Sequence, residues 1–314
     1  MSITDPAIPP AVVLNDCESF DTVTWIDFRG RETVLPVGQG VDGRFFPPVV
    51  TDTVRVFGEA GERRLRQEHD AREIVLPLAI QLDDCPPEQA LREALRGLGC
   101  QLNTIVEPGI LRVQSGTLAA REIIASYAGG YEFFETNSRV AQPVLVLRAH
   151  EPYWTSIADT ALTFATGTGL PFFVPDPADA PDFVIGNPMP AFTLSVDTIV
   201  GAQNILVPCD VKVYPVWTLT GPATDVIISN LTTDLDINLT GITLGAGDVL
   251  TIDTRPGRKT ITDQTGANRF ADLDPASTLF PLEPGTNSLL LSVDGFVQDE
   301  TALTLAYRER FLTV

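Results

Sequence analysis

Leu145-Val146-Leu147-Arg148-Ala149-His150-Glu151-Pro152-Tyr153-Trp154 is the stretch on which the fold turns. A strand over 143–149 runs into a proline and two aromatics, which places a seam just after Trp154 between two β-rich halves. A chain of 314 residues exceeds the usual reach of one hydrophobic core, so two domains are expected, 1–154 and 155–314. The 25 prolines and 24 glycines are scattered, which suits short strands and turns better than long helices.

Ahead of the seam, residues 72–82 alternate, with Ile74, Leu76, Leu78, Ile80 and Leu82 on one face, as in a half-buried strand. Pro77 lies on the other face and cannot donate to a ladder, so an edge or an unpaired stretch is expected there. One helix follows, roughly Pro87 to Gly97. Leu91, Ala94, Leu95 and Leu98 fall on one side, Glu88 and Arg92 stand at i, i+4, and Gly97 or Gly99 can end it. Further strands are expected at 109–116, 121–127 and 131–135. One helix among strands predicts a β-sandwich with the helix packed on it.

Behind the seam, residues 165–190 hold six prolines together with Phe172, Phe173 and Phe183. This composition reads as an ordered extended segment that docks on a neighbour. From about 191 onward, short strands recur with turn signals between them, the pattern of an antiparallel sandwich or jelly roll. Asp248 to Asp253 is the clearest strand. It leads to Arg255-Pro256-Gly257-Arg258, whose central Pro and Gly fit a type II turn.

Charge narrows the function. The net charge is −20, with 14 basic against 22 acidic residues up to Trp154 and 7 against 19 after it. Neither half has a basic face that could neutralise phosphates, so nucleic-acid binding is not expected. No run of 18 apolar residues exists to span a membrane. The first residues lack a basic cluster followed by an apolar stretch, so no secretion signal is read. Cys17, Cys85, Cys100 and Cys209 are far apart, and reduced, mostly buried thiols are expected.

No motif in the sequence is complete enough to carry chemistry. Gly38-Gln39-Gly40-Val41-Asp42-Gly43 matches G-x-G-x-x-G, but Phe45-Phe46-Pro47-Pro48 follows where a phosphate-binding helix must begin, so a flexible or strained loop is expected. Asp234-Leu235-Asp236-Ile237-Asn238 lacks the glycine of a calcium loop and fits strand alternation. His69 lies in a charged run that reads as a solvated hairpin tip, and His150 adjoins the seam. Neither has the partners of a catalytic or zinc site. No cofactor, metal or catalytic residue is expected.

Together these features resemble the distal tail protein family of long-tailed, siphovirus-like phages. Four stretches carry the resemblance: the loop Val37–Gly43; Arg72–Leu78 leading through the helix to Leu111-Arg112-Val113; the strand ending in Pro152, Tyr153 and Trp154; and Gly247–Thr254, with Asp248 and Asp253, followed by Leu282–Leu289, with Pro284, Gly285 and Asn287. They span roughly 20–314 in the family's order, although 155–200 has no match.

The resemblance implies an N-terminal ring-forming (belt) β domain with its helix and a C-terminal galectin-like β-sandwich. It implies a non-enzymatic virion component, a homohexameric ring at the distal end of the tail, assembled in the host cytoplasm. The ring would join the major tail tube protein to the tail-tip hub protein and could hold receptor-binding or adhesion proteins. Six copies of so acidic a chain repel one another, so Arg63, Arg64, Arg66 and Arg72 are expected at subunit seams, paired with acids.

The alternatives are a carbohydrate-binding module or receptor-binding protein with a jelly-roll-like domain, using exposed aromatics such as Trp217 and Tyr214, and, behind these, a glycoside hydrolase using two of the 41 acids.

Overall fold

In the computed structural model, residues 21–314 are described, apart from 39, 56, 59, 82–86, 133–134, 138–139, 165–197, 296 and 298–299. The expected docking segment at 165–190 therefore lies outside the described residues, as do Cys17 and Cys85.

Strands β1 (Asp21–Ile26), β2 (Glu32–Leu35), β3 (Val49–Val54), β4 (Arg63–His69), β5 (Arg72–Pro77) and β6 (Ile80–Gln81) precede the helix α1 (Pro87–Gln101). After it come β7 (Gly109–Ser115), β8 (Arg121–Gly130), β9 (Glu135–Asn137), β10 (Val140–Ala141), β11 (Val144–Ala149) and β12 (Trp154–Ser156). Then follow β13 (Thr160–Phe164), β14 (Thr198–Val207), β15 (Val216–Thr220), β16 (Ala223–Asn230), β17 (Leu235–Leu244), β18 (Val249–Asp253), β19 (Thr260–Asp263), β20 (Gly285–Asp294), β21 (Ala302–Tyr307) and β22 (Arg310–Phe311).

Two compact units result: one runs to Ala158 and takes back Arg310–Val314, and the other is Asp159–Glu309. The division thus falls a few residues beyond Trp154. The reason is local: Thr155 and Ser156 still pair with β8, and Trp154 and Thr155 pair with β22. The second unit is an insertion between two neighbouring strands of the first.

The first unit is built on an antiparallel sheet in the order β2-β1-β7-β8-β11-β5, extended by β12 and β22 beside β8. Trp25, Ile74, Leu76, Leu111, Val113, Leu145, Leu147 and Trp154 fill its inner face, and Leu91, Leu95 and Leu98 of the helix, with Leu102 just after it, pack into the same core. The helix runs on through Gly97 and Gly99 to Gln101 instead of stopping at them. Two helical glycines cost about 1 kcal/mol each, but continuing the helix buries Leu98 and brings Leu102 onto the same apolar face. The Gln101 carbonyl then accepts the Trp25 indole N–H. Gly109 is needed there, because a Cβ would sit 2.2 Å from the Trp25 ring.

The strand expected over 72–82 divides at Pro77. β5 pairs with β11, and its outer edge faces the loop 37–43. Leu78 then donates to Pro143 and Ala79 to Pro36, and β6 joins a small sheet with β10 and β9.

The second unit is a β-sandwich of a five-stranded sheet, β13-β21-β15-β18-β19, and a four-stranded sheet, β14-β20-β16-β17. Trp217, Leu219, Leu250 and Ile252 from one and Val226, Ile228, Ile237 and Leu291 from the other share one core. The expected turn closes as the sequence prescribes, with Arg258 N donating to Arg255 O and Gly257 at φ +74°.

Candidate assembly interface

β3 and β4 form a two-stranded ribbon that pairs with none of the other described strands. Val49-Val50-Thr51-Asp52-Thr53-Val54 is rich in β-branched residues, and Gly58 (φ +88°) and Gly61 (φ +94°) shape the turn. Every described residue of the two strands is exposed except the half-buried His69. Its pairing makes the ribbon two-sided. Val49 stands opposite His69, Thr51 opposite Gln67 and, beyond a bulge at Leu65, Thr53 opposite Arg64. The other side pairs Val50 with Glu68, Asp52 with Arg66 and Val54 with Arg63.

A lone two-stranded ribbon is marginally stable in water. This one nevertheless exposes Val49, Val50, Val54, Leu65 and, at its tip, Phe57. Among the described residues, all but four of the exposed large hydrophobics (Leu206, Leu231, Phe270 and Val297) lie in the first unit, Phe45 and Phe46 just ahead of the ribbon among them. Scattered apolar residues need no explanation, but a concentration on one element marks a contact surface.

Arg63, Arg64 and Arg66 all lie on β4 and are exposed. Arg64 donates to Gln67 and Arg66 to Glu68, while Arg55 near the tip pairs with Glu62 at 2.8 Å. Arg72 does not join them. It is 1 % exposed, and its guanidinium donates to the carbonyls of Gly43 (3.2 Å), Phe45 (3.0 Å) and Leu312 (2.9 Å), so it is spent inside the unit. Burial pulls its pKa down to about 10, which still leaves it charged at neutral pH.

The seam residues fasten the ribbon's base. Pro152 is buried. The Tyr153 hydroxyl hydrogen-bonds His69 Nδ1, and its ring lies under Arg310 at 4.5 Å. The Trp154 indole donates to Arg44 O at 3.1 Å and sits beneath the Arg72 guanidinium at 5.9 Å. His69 is therefore at the foot of the hairpin, not at its solvated tip. Loop 37–43 serves the same region: Gly38 N donates to Pro77 O, and Asp42 exchanges two backbone hydrogen bonds with Val75. Gly43 (φ +79°) passes so close to Glu73 O that a Cβ would stand 1.9 Å from it. The glycine pattern is thus an ordered backbone cover over a strand edge, neither a phosphate cradle nor a slack loop.

In the second unit the singled-out residues hold turns. Asp248 accepts from Gly245 N and from Gln264. Burial raises the Asp253 pKa, but the hydrogen bonds and charge of Arg255 outweigh it and hold the carboxyl below its usual value. Asn287, fully buried, binds the backbone of Glu283 and Gly285 across Pro284 and meets Asn230 at 3.2 Å. Trp217 is 0 % exposed, packed between Phe164 and Phe280, and Tyr214 is half-buried, so neither is the exposed platform a sugar-binding module needs. Cys100 is exposed and Cys209 half-buried, unlike the buried thiols expected. No helix among the described residues is long and apolar enough to cross a membrane.

Residues 208–311 match the family model of the siphovirus-type tail component, C-terminal domain. Among solved structures, the Dit (gp 19.1) protein of phage SPP1, described as a paradigm of the hub adsorption apparatus in phages infecting Gram-positive hosts, is similar at a TM-score of 0.64 and 13% identity, over 93% of this chain and 99% of that one. A chain of the phage P2 baseplate in its activated conformation with calcium is similar at a TM-score of 0.45 and 11% identity, over 94% and 99%. No curated protein sequence matches. The family match over the second unit, with a fold shared along nearly the whole chain, bears out the resemblance drawn from the sequence.

Proposed function

We propose that this chain is a structural component of a long phage tail, a homohexameric ring at its distal end. The ring joins the tail tube to the tip hub, and the second unit, galectin-like in shape, faces outward to hold adhesion or receptor-binding proteins. The observation that carries the ring is the exposed, two-sided hairpin in the unit that also holds most of the exposed large hydrophobics among the described residues.

A closed ring needs a heterologous contact, one patch on each copy meeting a different patch on the next. A hairpin that pairs with none of the other described strands supplies one half, by laying its exposed apolar residues on a neighbour or adding a strand to the neighbour's edge. Its arginines meet a neighbour that is acidic overall, which offsets part of the repulsion among six such chains. The reading makes the chain part of the virion and assigns it no turnover.

Native mass spectrometry and particle images of the full chain, alone and mixed with its tube and hub partners, test this. Sixfold particles are expected. A strict monomer with both partners present would count decisively against it.

A further inference from the structure

We infer that Arg310–Val314, the segment that follows the second unit, is a clasp that readies the hairpin for assembly only after the second unit has been made. The inference rests on reading the hairpin as the ring-forming arm.

Both feet of the hairpin are fixed by groups that touch this segment. On the way in, the carbonyls of Gly43 and Phe45 are held by Arg72, whose other terminal nitrogen donates to Leu312 O, 240 positions along the chain. On the way out, His69 is held by Tyr153, which lies under Arg310; Arg310 also pairs with Glu151. The segment is itself anchored by strand pairing, Trp154 with Phe311 and Thr155 with Arg310. Arg121 adds a second anchor, donating to Thr313 O with its guanidinium 3.6 Å over the Phe311 ring.

Arg72 makes this arrangement all-or-none. It is a buried cation whose observed acceptors are all backbone carbonyls, and its Nε is buried without a hydrogen-bond partner. Without Leu312 a second donor is orphaned, and hydrating the guanidinium becomes preferable to keeping it inside. Once it leaves, the carbonyls of Gly43 and Phe45 lose their common donor. Arg72 is synthesised early and Leu312 after the whole of Asp159–Glu309. A growing chain therefore carries an unfastened arm, and neighbouring nascent chains cannot close rings before the outward unit exists.

The test is hydrogen exchange on three proteins: the full chain, a chain stopped after Glu309, and a full-length Arg121→Ala/Phe311→Ala variant, which decides the matter should the shortened chain fail to fold. Amides of 43–54 and 63–72 are expected to exchange about tenfold faster in both variants, while β15–β18 keep parental rates. Both variants are also expected to lose ring formation under conditions in which the parent assembles. Parental exchange at the hairpin in the double variant overturns the clasp. If exchange accelerates but the parent itself never forms rings, the clasp stands and the ring reading falls.

Discussion

His69 and Tyr153, 84 positions apart, meet at the foot of the hairpin: Nδ1 lies 3.0 Å from the phenolic oxygen, and the rings pack edge to face at 5.6 Å. A residue of the seam thus governs an element that ends long before it. Tyr153→Phe keeps the ring under Arg310 and removes only the hydroxyl. It is expected to cost about 1 kcal/mol, read as a lower midpoint for the first unit in denaturant, with the second unit unmoved. An unchanged midpoint would show that the contact is incidental.

Arg72 tests the same region from inside. Arg72→Met leaves the carbonyls of Gly43, Phe45 and Leu312 buried without their shared donor and is expected to destabilise the first unit by about 2–4 kcal/mol. Arg72→Lys should recover little of this, because a single ammonium cannot span acceptors that a planar fork reaches in two directions. Thermal melts of both variants beside the parent decide it.

On the ribbon, fold and assembly should separate. Val54→Ser/Leu65→Ser changes exposed side chains and is expected to shift thermal stability by no more than about 0.5 kcal/mol. The same variant should lose most of its oligomer in native mass spectra. Charge reversal, Arg63→Glu/Arg64→Glu, is expected to do likewise; rings fully intact after it would remove the arginines from the seam.

Asp253 gives the second unit a pH signature. Its pKa is lowered in the folded state, so it contributes stability that is present above the ordinary carboxylate value of 3.8 and is lost as pH falls through the lowered one. Asp253→Asn should cost about 1 kcal/mol at neutral pH by weakening the hold on the half-exposed Arg255, and should flatten the acid limb of the stability curve. Urea titrations of the second unit from pH 2 to 7 measure both.

Trp217→Ala separates a packing role from a recognition role. With the indole fully buried, about 3–5 kcal/mol of the second unit's stability should go with it. A variant that melted like the parent yet lost binding to a glycan array would reverse the assignment.

Much of this architecture can be read from the residues, and what escapes has identifiable causes. Alternation at Ile74, Leu76 and Leu78 marks a strand because period two is imposed by burial on one face, and Arg255-Pro256-Gly257-Arg258 marks its turn because two dihedrals are fixed by residue type. Gly97 misleads as a helix end, since a local preference yields to the core space that Leu98 and Leu102 fill. The hairpin had a signal in the β-branched run 49–54 ahead of Gly58 and Gly61, but nothing local says that both its faces meet solvent. Arg72 looks like its exposed neighbours Arg63, Arg64 and Arg66. Only contacts with Gly43 on one side and Leu312 on the other, far apart in sequence, turn it inward.

The insertion of the second unit between β12 and β22 has a mechanical consequence. Anything that pulls on that unit loads two covalent connections at once, each ending in a strand bonded laterally within the same sheet. Tension is then shared between two connections, whereas a domain hung from one linker would carry it all on one. A unit attached this way stays tied to its anchor even when one of the two connecting strands gives way.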